Sequence, residues 1–167
     1  RRVSELRAAT SEALERVRTL SFELRPSSVD HFGLESALNQ DLETFGARFG
    51  ATVDFYVDDD AGYALSEDVE TAIYRAVHGA LTNIVQHAEA EHVSVIMREE
   101  NGRLSVLVED DGVGFDVDAV MSGAVAARFG ILAMEERMQS VGGGLRVESS
   151  PGGGTTVYIQ APLQVSD

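Results

Sequence analysis

The stretch "LVEDDGVGFD", positions 107–116, sets two aspartates and two glycines where an apolar run ends. A carboxylate such as Asp111 can accept a hydrogen bond from an exocyclic amine, as on adenine. Gly112 and Gly114 let backbone approach a flat ring and take dihedrals closed to other residues. A plain turn would carry the same string. A calcium loop would not, because it needs acidic or amide ligands at alternate early positions, and glycines and valine stand there instead.

Three other groups carry chemistry. Asn83 and His87 are spaced to share one face of a helix. An asparagine oxygen suits a magnesium ion that already carries phosphate oxygens and waters. Gly130 precedes a helical pattern beginning at Ile131, and the first amides of a helix can face phosphate oxygens. Thr155 follows the glycine turn "PGGG". Each group has a plainer reading: a solvated Asn, a packed His, an ordinary helix start, a hairpin turn.

The elements that must position them are read from periodicity. Residues 1–25 show an a/d heptad pattern: Val3, Thr10, Val17 and Leu24 in one set, Leu6, Ala13 and Leu20 in the other. Pro26 ends that helix, and 26–33 reads as a linker. A helix with Leu34, Ala37, Leu38, Leu42, Phe45 and Phe49 on one face runs to Gly50. Residues 51–57 alternate like a strand. Ser66 is placed as the N-cap of a helix reaching about Ala88. Two strands flank Asn101 and Gly102, a hairpin signal. Residues 116–128 read as a mobile loop, 131–141 as a helix, and the rest as a strand, a turn and a strand. Hairpins with helices crowded to one side make an α+β two-layer sandwich.

Composition narrows the chemistry. The chain has 167 residues, enough for one domain with a real core. It has no cysteine, and all 13 basic residues are arginine. Disulfides, thiolate metal sites, P-loop lysines and Schiff-base lysines are excluded. A net charge of −15 argues against nucleic-acid or anionic-membrane surfaces. No apolar run is long enough to span a membrane. The chain opens inside a helical pattern, so the expectation is a piece of something longer.

In order and spacing, "ALTNIVQHA", "DDGVGF", "FGILAMEERMQSVGG" and "PGGGTTV" resemble the N box and the three glycine boxes of the sensor histidine kinase ATP-binding domain. That domain belongs to the wider family of gyrase, chaperone and mismatch-repair ATPases. "LRPSSVDHFGLESAL" resembles the junction between dimerisation helices and ATP domain in kinases that signal to helix-turn-helix response regulators.

The resemblance implies a mixed, mostly antiparallel sheet covered by helices on one face. It divides the chain into a second dimerisation helix at 1–25, a linker at 26–33 and an ATP-binding catalytic domain at 34–167. Asn83 would coordinate magnesium and His87 would lie beside the phosphates. Asp111 would accept the adenine amine, with Gly112 and Gly114 shaping the wall under the base. Gly130 and Ile131 would begin the phosphate-side helix, and Thr155 would support Asp111. Arg128 and Arg137 are the candidate phosphate arginines. The implied partners are ATP, a histidine-bearing dimerisation helix and a response regulator. The implied setting is a cytoplasmic part of a homodimer, often membrane-anchored.

Departures bear on transfer. Gly79 stands where the family has a glutamate that orients or activates the attacking group. Gln86 replaces a common basic residue, and Ala133 a frequent glycine. Residues 1–25 hold no histidine, so the phosphoacceptor is expected elsewhere. Set beside the kinase reading are a degenerate nucleotide-binding module, an ATPase or serine-directed kinase of the same fold, and a structural dimerisation domain.

Overall fold

The computed structural model describes residues 27–58, 63–123 and 126–164. The heptad segment 1–25 lies outside them. Five strands form one sheet in the order β1-β2-β3-β5-β4. They are β1 Thr52–Val57, β2 His92–Glu100, β3 Arg103–Asp110, β4 Gly144–Ser149 and β5 Thr155–Pro162. β1 runs parallel to β2, and every other pairing is antiparallel.

Helices cover one face of this sheet. α1, Ser27–Phe49, is helical through much of the expected linker; the kink falls at Gly33, whose φ of 77° lies outside the helical region. Beyond it Leu34, Ala37, Leu38, Leu42 and Phe45 are buried, as their spacing predicts. Phe49 is the exception: it is exposed and stacks at the rim on Phe45. Gly50, in the left-handed region, ends the helix.

α2, Glu67–Asn83, begins at Ser66, whose hydroxyl accepts the Val69 amide. Ile73, Ala76 and Val77 are wholly buried. A large apolar side chain in that position contributes about 1.5–3 kcal/mol. The helix then widens into one π-helical turn, Ile84–Ala88, a feature frequent at functional sites.

The β2–β3 hairpin turns at Asn101 and Gly102, both at positive φ as a two-residue turn requires. The expected loop at 116–128 is instead largely helical. Asp116 caps α3, Val117–Ser122, by accepting the Ala119 amide. α4, Ala126–Ser140, starts earlier than Ile131. Local capping by Asp116 supplies what the small, weakly apolar side chains there do not.

Strand alternation divides the sheet cleanly. Val93, Val95, Met97, Leu104, Val106, Val108, Val157 and Ile159 point to the helices and are buried. The opposite face carries polar pairs such as Tyr158, which donates to Glu148 beneath Arg146. None of the described helices is long and apolar enough to cross a membrane.

Candidate functional site

A cavity of about 330 Å³ opens between α2, its π-helical turn, α3, α4 and the ends of β3, β4 and β5. Apolar side chains line most of it, among them Ala80, Ile84, Ala88, Val108, Phe115, Val120, Ile131, Met134, Val147 and Val157. Four polar side chains converge on it: Asn83 and His87 from the helix, Asp110 and Thr155 from the strands. Its size and its mostly apolar wall with few polar groups are those of a small-molecule site.

The strand contribution follows from register. Val147, Val157 and Val108 are cross-strand neighbours; two residues on, so are Ser149, Thr155 and Asp110. The apolar row therefore continues as a polar row at the end of the sheet, on the same inward face. The Asp110 carboxylate accepts the Gly112 amide at 2.9 Å, and the Thr155 amide and hydroxyl lie near enough across the ladder to lower its pKa. Burial nonetheless raises its pKa, since desolvation outweighs those donors; the nearby Asp111 adds to the rise.

Asp111, the aspartate expected at the base, lies outside the cavity lining. It follows Asp110 by one residue, so the pleat turns it away from the cavity. Its Oδ1 accepts the amides of Glu91 and His92, both at 2.9 Å, at an exposed edge. The His92 amide leads the causes that hold its pKa below the ordinary value. The signal was present in the sequence: Leu104, Val106 and Val108 alternate inward, and the next inward position is 110.

The two glycines part ways. Gly114 lines the cavity. A Cβ there would stand 2.1 Å from the Ser150 carbonyl oxygen, so the chain can pass only as glycine. Gly112 does not line the cavity; its missing Cβ admits the Ala88 carbonyl, which would lie 2.3 Å away. That contact joins the glycine loop to the end of the π-helical turn, where the Val113 amide also donates to Ala88. The turn at 150–154 is locked to the same loop by Gly152 donating to Val113 and Gly154 donating to Gly112.

On the helical side, Asn83, His87 and Ile131 line the cavity. Gly130 does not begin a helix: α4 starts at Ala126, which puts Gly130 and Ile131 in its second turn. Gly130 faces Asn83, whose Oδ1 would be 3.6 Å from a Cβ at that position. Arg128 ties α4 to the end of α3 by donating to the Gly123 carbonyl. Neither Arg128 nor Arg137 lines the cavity. Gly79 faces Met134, whose Sδ would be 2.7 Å from a Cβ there.

Comparison with known proteins agrees with this architecture. The family model described as histidine kinase-, DNA gyrase B-, and HSP90-like ATPase matches residues 68–165. An uncharacterised sensor-like histidine kinase of Chloroflexus aurantiacus is 36% identical over 97% of this chain and 28% of its own length. The signal transduction histidine-protein kinase/phosphatase DegS of Brevibacillus brevis is 32% identical over 99% of this chain and 42% of its own. This chain thus spans less than half the length of either relative. The solved histidine kinase domain of the Erythrobacter litoralis EL346 blue-light activated kinase superposes with a TM-score of 0.61. It is 26% identical, over 78% of this chain and 61% of that one.

Proposed function

Because this chain belongs to the histidine kinase-, DNA gyrase B-, and HSP90-like ATPase family, we propose that its cavity binds ATP with magnesium and presents the γ-phosphoryl group to a histidine on a dimerisation helix. The observation that carries this reading is Asp110, a carboxylate at the end of an apolar slot with Thr155 directly across the ladder from it. An adenine ring fills such a slot, and its amino group donates to the carboxylate. Guanine would bring a carbonyl oxygen to the same place and be repelled.

The phosphates then extend toward Asn83 and His87. Among the described residues no three acidic or histidine side chains gather into a metal cage. A single neutral oxygen from Asn83 fits magnesium, which binds largely through waters and substrate phosphates. Magnesium, when bound, neutralises charge on the phosphate oxygens. With no lysine in the chain, the remaining charge falls to arginine, and Arg128 is the nearer candidate by its place at the start of α4.

In this reading the acceptor imidazole attacks the γ-phosphorus and ADP leaves. The phosphorylated histidine passes its group to a response regulator. The setting is the cytoplasmic part of a homodimer. Titration calorimetry of magnesium-ATP against the chain and its Asp110→Asn variant tests the site. Saturable binding by the parent, lost in the variant, supports it; no saturable heat from the parent sinks it. Transfer of labelled γ-phosphate to a supplied histidine-bearing helix tests the chemistry.

A further inference from the structure

Ser149 ends β4 on the inward face, beside Thr155 and one strand further from Asp110. It does not line the cavity, yet its Oγ touches three elements that do or that brace it. It accepts the Phe115 amide at 2.9 Å. It donates to the Gly154 carbonyl at 2.7 Å. It lies 3.2 Å from the Thr155 hydroxyl.

A serine hydroxyl has one proton and two lone pairs. The short contact to Gly154 takes the proton. Phe115 takes one lone pair, and the other faces Thr155. Between the two hydroxyls, then, Thr155 is the donor and Ser149 the acceptor. Thr155 in turn lies directly across the β3–β5 ladder from Asp110. Two of the three groups held by Ser149, Phe115 and Thr155, form cavity wall. The third, Gly154, packs its backbone against Asp110: a Cβ there would be 2.0 Å from the Asp110 carbonyl oxygen.

We propose that Ser149 is a positioning residue for base recognition: it fixes Thr155, Phe115 and the 150–154 turn around Asp110, so that selection of a 6-amino purine depends on a hydroxyl that does not touch the ligand. The inference rests on the ATP reading above and deepens it.

The test compares magnesium-ATP with magnesium-ITP, whose base has an oxygen in place of the 6-amino group. Calorimetry is run on the chain, Ser149→Ala and Ser149→Thr. The parent prefers ATP. In S149A the affinity for ATP falls about tenfold, the equivalent of one buried hydrogen bond, while that for ITP is unchanged, and S149T keeps the parent's ratio. A parent ratio retained in S149A overturns the proposal, whether both affinities fall together or neither moves. Should S149A not fold, Ser149→Cys, with a weakly hydrogen-bonding sulfur of similar shape, is read by the same two outcomes. A parent that binds ATP without preferring it over ITP overturns this proposal and the role of Asp110 as amine acceptor while leaving nucleotide binding in place; one that binds neither nucleotide overturns the ATP reading and this proposal with it.

Discussion

Thr155 lies directly across the β3–β5 ladder from Asp110, on the same inward face of the sheet. The pair is set by strand register, so no flexible loop has to close to build it. The cavity's one carboxylate is therefore oriented by the same hydrogen-bonding ladder that holds the sheet together. A preorganised acceptor loses little on meeting its donor.

Asp110→Asn is expected to weaken magnesium-ATP binding by about a hundredfold or more, because an amide offers the base one acceptor and one wrong donor. Asp111→Asn should leave binding within a few-fold, since that carboxylate faces away and serves the Glu91 and His92 amides. Its effect should appear as a lowered melting temperature. Calorimetry and thermal denaturation of the two variants separate these roles. Loss of binding in Asp111→Asn with Asp110→Asn unharmed would reverse the assignment.

The two aspartates should also differ in pH dependence. Burial raises the Asp110 pKa in the folded chain. Protonation is thus favoured by folding, and Asp110 withdraws stability as pH rises from its unfolded pKa through its folded one. Asp111 runs the other way: hydrogen bonds from the His92 and Glu91 amides lower its pKa. It adds stability above its unfolded pKa and loses it as pH falls through the folded one. Amine recognition needs Asp110 ionised. The ATP-to-ITP affinity ratio should therefore fall on acidification while still above the ordinary aspartate range. Using the ratio cancels titration of the shared triphosphate. A ratio constant down to that range would remove Asp110 as the acceptor.

Close backbone approach makes a third prediction. Gly114→Ala would place a methyl 2.1 Å from the Ser150 carbonyl oxygen at a φ of +58°. The cost should be about 1–3 kcal/mol from overpacking, with backbone strain added, and binding should be lost with it. Gly144→Ala is the control, because nothing lies within 4 Å of its Cβ position and its φ is ordinary. Equal melting temperatures for the two variants would show that the interlocked loops can yield.

Much of this was legible in the sequence, and the exceptions have physical causes. Helices α1 and α2 and the Asn101–Gly102 turn follow from local periodicity, capping and turn chemistry. The parallel placement of β1 beside β2 joins segments far apart in the chain, and no local pattern encodes it. Asn83, His87, Gly114, Ile131 and Thr155 reach the cavity because helix face and turn position are local properties. Asp110 lines the cavity and Asp111 does not, because two adjacent aspartates differ in which side of the pleat they occupy. Counting by twos from Leu104 resolves them. Ser149 carried no local signal; its contacts come from register with Thr155. The early start of α4 and the helix α3 were hidden by small side chains that leave no strong apolar stripe.

Gly79 invites the last prediction. It sits one helical turn before Asn83, where the resemblance to sensor histidine kinases implies a glutamate. Replacing glycine within a helix by alanine gains about 1 kcal/mol in propensity. The added methyl meets Met134 Sδ at 2.7 Å, and overpacking costs about 1–3 kcal/mol. The sulfur ends a flexible side chain that can turn aside, so the clash should fall at the lower end. Gly79→Ala is expected to melt close to the parent. Gly79→Glu, folded by the same measure, should bring a carboxylate to the Asn83 end of the cavity. It should then raise the rate of phosphoryl transfer to a supplied histidine-bearing helix without tightening ATP binding. Single-turnover transfer assays beside calorimetry make the comparison. A folded Gly79→Glu variant that binds ATP as the parent does and transfers no faster would mean that the missing carboxylate does not limit this chain, and that acceptor activation comes from the helix carrying the histidine.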